Sequence, residues 1–100
     1  MSEPFDRGSP VTIEVTFERR LPFSETLTLF DPTVPKITVT DPQGVVKVNA
    51  ADLVKSVVGK YYYVCQTAET WAAGVYSSKA TGTDGAYTEV EVTPEVFELV

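Results

Sequence analysis

Between Val11 and Glu18 every odd position is apolar (Val11, Ile13, Val15, Phe17) and every even one is Thr or Glu. Side chains of a β-strand alternate between its two faces, so this segment predicts a strand with one apolar and one solvated side. A helix would scatter the same residues around its circumference. One oily face has to be covered by another layer, and that requirement shapes the rest of the chain.

Further along, the same alternation recurs between turn signals. Residues 1–10, with Pro4, Gly8 and Pro10 among mixed charges, read as an N-terminal arm: a flexible tail, or a docking arm that orders on a partner with Phe5 as its apolar anchor. Strands are predicted over 11–19 and 25–30, separated by a break at Pro22, with Leu27 and Leu29 turned inward. Residues 36–40 are predicted to fold back on 45–48 across Asp41-Pro42-Gln43-Gly44, where proline presets φ and glycine supplies the left-handed position. The stretch 49–56 carries a candidate Asn cap but also Val54, and is read as irregular. Aromatic and β-branched residues predict a strand at 61–66. Two more, 74–81 and 87–93, are joined across Gly82-Thr83-Asp84-Gly85, whose Asp-Gly pair favours a tight hairpin turn, and a last one at 96–100 follows Pro94.

Seven or eight short strands with such punctuation predict one all-β domain over 11–100, an antiparallel β-sandwich. The expected core is Val11, Ile13, Val15, Phe17, Leu27, Leu29, Ile37, Val39, Val46, Val48, Tyr61, Tyr63, Trp71, Tyr76, Val90, Val92, Phe97 and Leu99.

Charge and composition narrow the functions. Fourteen acids stand against eight bases, for a net charge of −6, and apart from Arg19-Arg20 the bases are scattered. Such a chain repels phosphate backbones and anionic lipid, so neither nucleic acid nor membrane is an expected partner. With no histidine and one cysteine, the usual zinc sites and the histidine-dependent nucleophilic triads have no constituents. The first residues lack the apolar segment of a secretory signal, and the expectation is synthesis in the cytoplasm as a soluble protein.

Several residues nevertheless invite chemistry. Asp31, Asp41, Asp52 and Asp84 fall in expected loops and could gather into a calcium site, but they lack dense Asp-x-Asp spacing, and Asp41 and Asp84 suit turn formation. Glu89 and Glu91 share one strand face, as an acid/base pair or, more simply, as a solvated surface. Cys65 reads as a small buried hydrophobe in preference to a nucleophile. No catalytic, cofactor or metal residue is assigned, and an enzyme is not expected. Phe5, Phe23, Phe30 and Tyr62 are large apolar groups expected outside the core, and are the candidate partner contacts.

The wording from Ile37 to Phe97 carries a resemblance: Ile-Thr-Val-Thr-Asp-Pro-Gln-Gly from Ile37, Gly59-Lys-Tyr-Tyr-Tyr, Trp71-Ala-Ala-Gly-Val-Tyr76, Thr83-Asp-Gly85 and a closing Phe97-Glu-Leu99. Over about two-thirds of the chain this order resembles immunoglobulin-like β-sandwich modules of the macroglobulin type, in the short stand-alone form found among tailed-bacteriophage virion proteins. The resemblance implies a non-enzymatic virion protein, a capsid decoration or head–tail neck accessory. Its partners would be capsid, portal or neck proteins and other copies of itself. One departure stands out: Ser78 is small where such modules place a large aromatic, and Trp71 is the side chain expected to fill that space. A second reading is a surface-displayed sugar- or receptor-binding module using Trp71 with Glu69 and Thr70.

Overall fold

The computed structural model describes residues 4–20 and 27–100 and is all-β. The strands are β1 (Pro4–Phe5), β2 (Pro10–Thr16), β3 (Glu18–Arg20), β4 (Leu27–Leu29), β5 (Thr33–Thr40), β6 (Val46–Asp52), β7 (Val54–Val57), β8 (Lys60–Gln66), β9 (Gly74–Asp84) and β10 (Tyr87–Leu99). They form a five-stranded sheet in the order β1-β10-β9-β5-β6, a three-stranded sheet β2-β8-β7, and a two-stranded ribbon β3-β4. Every pairing is antiparallel except that of β1 with β10.

The alternation at 11–17 does what it predicted. Val11, Ile13 and Val15 point inward from β2, opposite Cys65, Tyr63 and Tyr61 of β8. The larger sheet answers with Ile37, Val39, Tyr76, Ala80, Phe97 and Leu99. Aromatic packing closes both ends of this interior. Trp71 stacks on Tyr76 with ring centroids 6.0 Å apart, and Tyr76 on Phe97 at 4.9 Å. Phe17 meets Tyr61 edge-on at 5.6 Å and Phe30 at 6.4 Å.

Two turns were legible. Asp41 accepts hydrogen bonds from the backbone N–H groups of Gln43 (2.9 Å) and Val45 (2.8 Å), and Thr40 pairs with Val46 beyond it. The second turn is tighter than expected: Gly82, Thr83 and Asp84 belong to β9, and Gly85, at φ +64°, opens a two-residue connection between Asp84 and Tyr87, the pattern of a type II′ hairpin turn. Asp84 itself plays a different part, ion-paired to Arg19 at 2.8 Å.

Elsewhere the structure departs from the expectations. Residues 49–56 are strand: β6 carries a bulge at Asn49–Ala50, with the Ala50 N–H donating to Thr38 Oγ1. The chain then crosses between the sheets at Leu53, which is buried and donates its N–H to the Pro35 carbonyl. Residues expected as an arm are tied down. Phe5 is half-buried against the core, its carbonyl accepts from Val100 N–H at 2.9 Å, and Gly8 N–H donates to Thr67 Oγ1 at 2.9 Å.

Faces also differ. Phe30 is buried at 7 % exposure while Leu27 and Leu29 are exposed, because Phe30 stands beyond the Glu18–Leu29 pair and donates its N–H to Phe17. The facing pair Phe17 and Phe30 turns inward, so the neighbouring residues turn out. Val46 is exposed on the edge strand β6, and Val48, Tyr63 and Trp71 are only partly covered.

The strands expected at 87–93 and 96–100 are one, running past Pro94 through a bulge between Thr93 and Phe97. Phe97 faces Tyr76 inside, and the two extra residues on β10 preserve the inward parity of odd positions. Glu89 and Glu91 therefore face inward, opposite Gly82 and Ala80, and Val90 and Val92 face outward, Val92 at 62 % exposure. Eleven residues of β9 and thirteen of β10 make a long hairpin, which accounts for the principal dimensions of 47 × 24 × 24 Å.

Candidate functional site: an uncovered strand edge and its acidic groove

Of the four residues singled out as partner contacts, the three that the structure describes do not form one surface. Phe5 belongs to the N-terminal strand β1 and pairs there with Leu99, and Phe30 is inside the core with the Arg19 guanidinium 5.1 Å above its ring. Phe23 lies outside the described residues. Tyr62 is half-buried on the outer face of the smaller sheet, paired with Glu14 and Val54, where it lines a shallow depression of about 420 Å³ with Thr12, Thr16, Ser56 and Lys60.

Of the four aspartates expected in loops, Asp52 and Asp84 end strands β6 and β9, and all four are spread apart and already engaged. Asp31 accepts from Lys55 Nζ (2.6 Å), Gly59 N–H (2.9 Å) and Tyr61 Oη (3.2 Å). The Lys55 hydrogen bond, helped by the Gly59 amide, holds its carboxyl below the usual value. Asp52 pairs with Lys36, Asp84 with Arg19, and Asp41 with its own turn. Among the described residues no group of three acids, cysteines or histidines converges as metal ligands would. Cys65 is fully buried, and burial pushes its thiol up to about 11, which keeps it protonated at neutral pH. Trp71 is likewise occupied, with Tyr76 on one side and Lys47 Nζ 5.7 Å from its ring. Among the described residues no helix is long and apolar enough to cross a membrane.

One side of the domain is built differently from the rest. Among the described residues β2 has no partner on the side away from β8, and residues 87–93 of β10 have none on the side away from β9. Among the described residues the strand on that side of β10 is β1, which pairs with Glu98 and Leu99. Between the two uncovered edges runs a groove of about 440 Å³ lined by Glu14, Val15, Glu18, Ser78, Glu91 and Thr93 together with Thr16 and Leu27.

Small residues make the groove and carboxylates give it its charge. Ser78 and Thr93 face each other on the inner side of the larger sheet, and Trp71, expected to fill the space at Ser78, stacks on Tyr76 instead. The Glu91 carboxyl is raised above its ordinary value by partial burial first, and then by repulsion from Glu89 and Glu18. Sequence reasoning passed over this site because it read Glu89 and Glu91 as a solvated face. The parity of Phe97 and Leu99 was the signal that could have placed them.

Compared with known proteins, the chain matches no family model, no curated protein and no solved structure.

Proposed function

We propose that this chain is an immunoglobulin-like sandwich acting as a non-enzymatic binding module, most specifically a virion component of a tailed phage, at the capsid surface or the head–tail neck. The fold part of the reading is supported by strand order. The sheet β2-β8-β7 has the B-E-D order of an immunoglobulin domain and β5-β9-β10 its C-F-G order, with β6 added beside β5. Tyr76, near the start of β9, donates its hydroxyl to the Ala72 carbonyl four residues upstream at 2.8 Å, which fits the tyrosine corner of that fold.

The binding part is carried by one observation: half of the longest strand, β10, extends with no strand among the described residues on its outer edge, and with Val90, Val92 and Tyr87 exposed. Exposed edges are costly to solubility and are ordinarily blunted or covered, so an uncovered edge suits a protein whose surface is completed by a neighbour. The virion assignment rests on the resemblance of the segment from Ile37 to Phe97. Mass spectrometry of gradient-purified particles from a lysate expressing this gene is expected to find the chain at a fixed copy number. Its recovery only in the soluble fraction would overturn the assignment.

A further inference from the structure

We propose that the groove between β2 and β10 is the slot of an absent strand, and that it takes an extended basic segment of a partner protein, added to the free edge of β10 along Tyr87–Thr93. The inference rests on the binding-module reading and names the partner's chemistry.

Three observations lead to this occupant. The first is the pair of edges. β1 covers β10 only at Glu98 and Leu99, and the chain then passes through Asp6–Ser9 straight into β2, so the described residues supply no strand alongside 87–93. An added strand there would gain main-chain hydrogen bonds, the usual source of affinity in strand addition.

The second is shape. Ser78, Thr93 and Val15 leave room between the layers for side chains entering from the side. An incoming strand alternates, so every second side chain would point into this space, and the others would lie outside beside Val90 and Val92.

The third is charge. The inward positions of that strand would meet Glu89 and Glu91 on β10 and Glu14 and Glu18 across the groove. Lysine or arginine is the complement, and β-branched residues suit the outward positions.

A second copy of this chain is a poor occupant. Antiparallel pairing of two β10 edges about Val90 sets Glu89 of one copy opposite Glu91 of the other, twice over, between two molecules of net charge −6. The same carboxylates that invite a basic strand discourage the homotypic one.

The test uses the full chain and a synthetic peptide of about seven residues alternating Lys and Val, a typical strand length. The controls are a block peptide of the same composition, with its lysines first and valines last, and a peptide alternating Glu and Val. The alternating basic peptide is expected to bind, to protect the amides of residues 87–93 from hydrogen exchange, and to lose about tenfold or more in affinity against the E89Q/E91Q double variant. The E89K/E91K variant is expected to reverse the preference toward the acidic peptide. No binding, equal binding of the block peptide, or protection confined to other strands would overturn the inference. Those failures would leave particle incorporation untouched, so they are distinguishable from failure of the virion assignment.

Discussion

Glu91 of β10 stands directly opposite Ala80 of β9, so a carboxylate shares the inner face of the sheet with a fully buried methyl group. It sits there within reach of the charges of Glu89 and Glu18, and its proton is held more tightly than the ordinary value of 4.5. The native protein therefore favours the protonated form. The stability linked to that proton is complete below 4.5 and is lost as the pH rises through the higher folded value. Glu91→Gln is expected to raise the urea midpoint more at about pH 7 than at about pH 4, because the amide removes a charge that the native site disfavours relative to the unfolded chain. Equal gains at both pH values would remove electrostatics as the cause.

The hydrogen bond from Tyr76 to Ala72 makes a second prediction. Tyr76→Phe keeps the ring in its stack between Trp71 and Phe97 and removes only the hydroxyl. A loss of about 1 kcal/mol is expected from that bond. Chemical denaturation followed by the fluorescence of Trp71, the single tryptophan, reads it directly.

Gly82 is a packing glycine. A Cβ there would come within 2.5 Å of Pro32 Cβ, and both residues are buried, so neither side has a flexible end to move. Gly82→Ala is expected to cost about 1–3 kcal/mol as overpacking. Gly44→Ala provides the contrast, since nothing lies within 4 Å of that position and only its φ of +88° opposes the change. A Gly82→Ala variant as stable as the parent would show that Pro32 does not seal β9.

Cys65 is expected to ignore thiol reagents in the native state and to react at once in denaturant. Ellman's reagent added with and without urea gives the comparison. The native thiol titrates at about 11 against an ordinary 9.0, so the unfolded chain starts to release this proton first. The associated stability is intact below 9.0 and falls away as the pH climbs through about 11. Cys65→Ala should flatten that part of the alkaline stability profile.

Much of the interior was written in the alternation of residues 11–17, in the aromatic run at Tyr61–Tyr63 and in the punctuation at Asp41 and Gly85. Alternation, however, gives two faces without saying which is inside. At 87–93 the apolar face was assigned inward by composition, although Phe97 and Leu99 already fixed odd positions as internal and an even-numbered bulge leaves that parity unchanged. Phe30 and the leucines beside it were misassigned for the same reason: the facing pair with Phe17 is a long-range fact that no local pattern contains. Leu53 was missed because a crossing between sheets depends on where both sheets lie. The groove was the hardest feature to foresee, since it is bounded by a strand that the described residues do not supply, and only Ser78 hinted that space was left.

The crossing at Leu53 behaves like the spine of a book. It joins the two sheets along the β6–β7 side, and the chain passes between them again at Asp6–Ser9 and at residues 67–73. With the sheets sewn together at several points, an entering chain would meet a groove already shaped, and the cost of ordering would fall mainly on the guest.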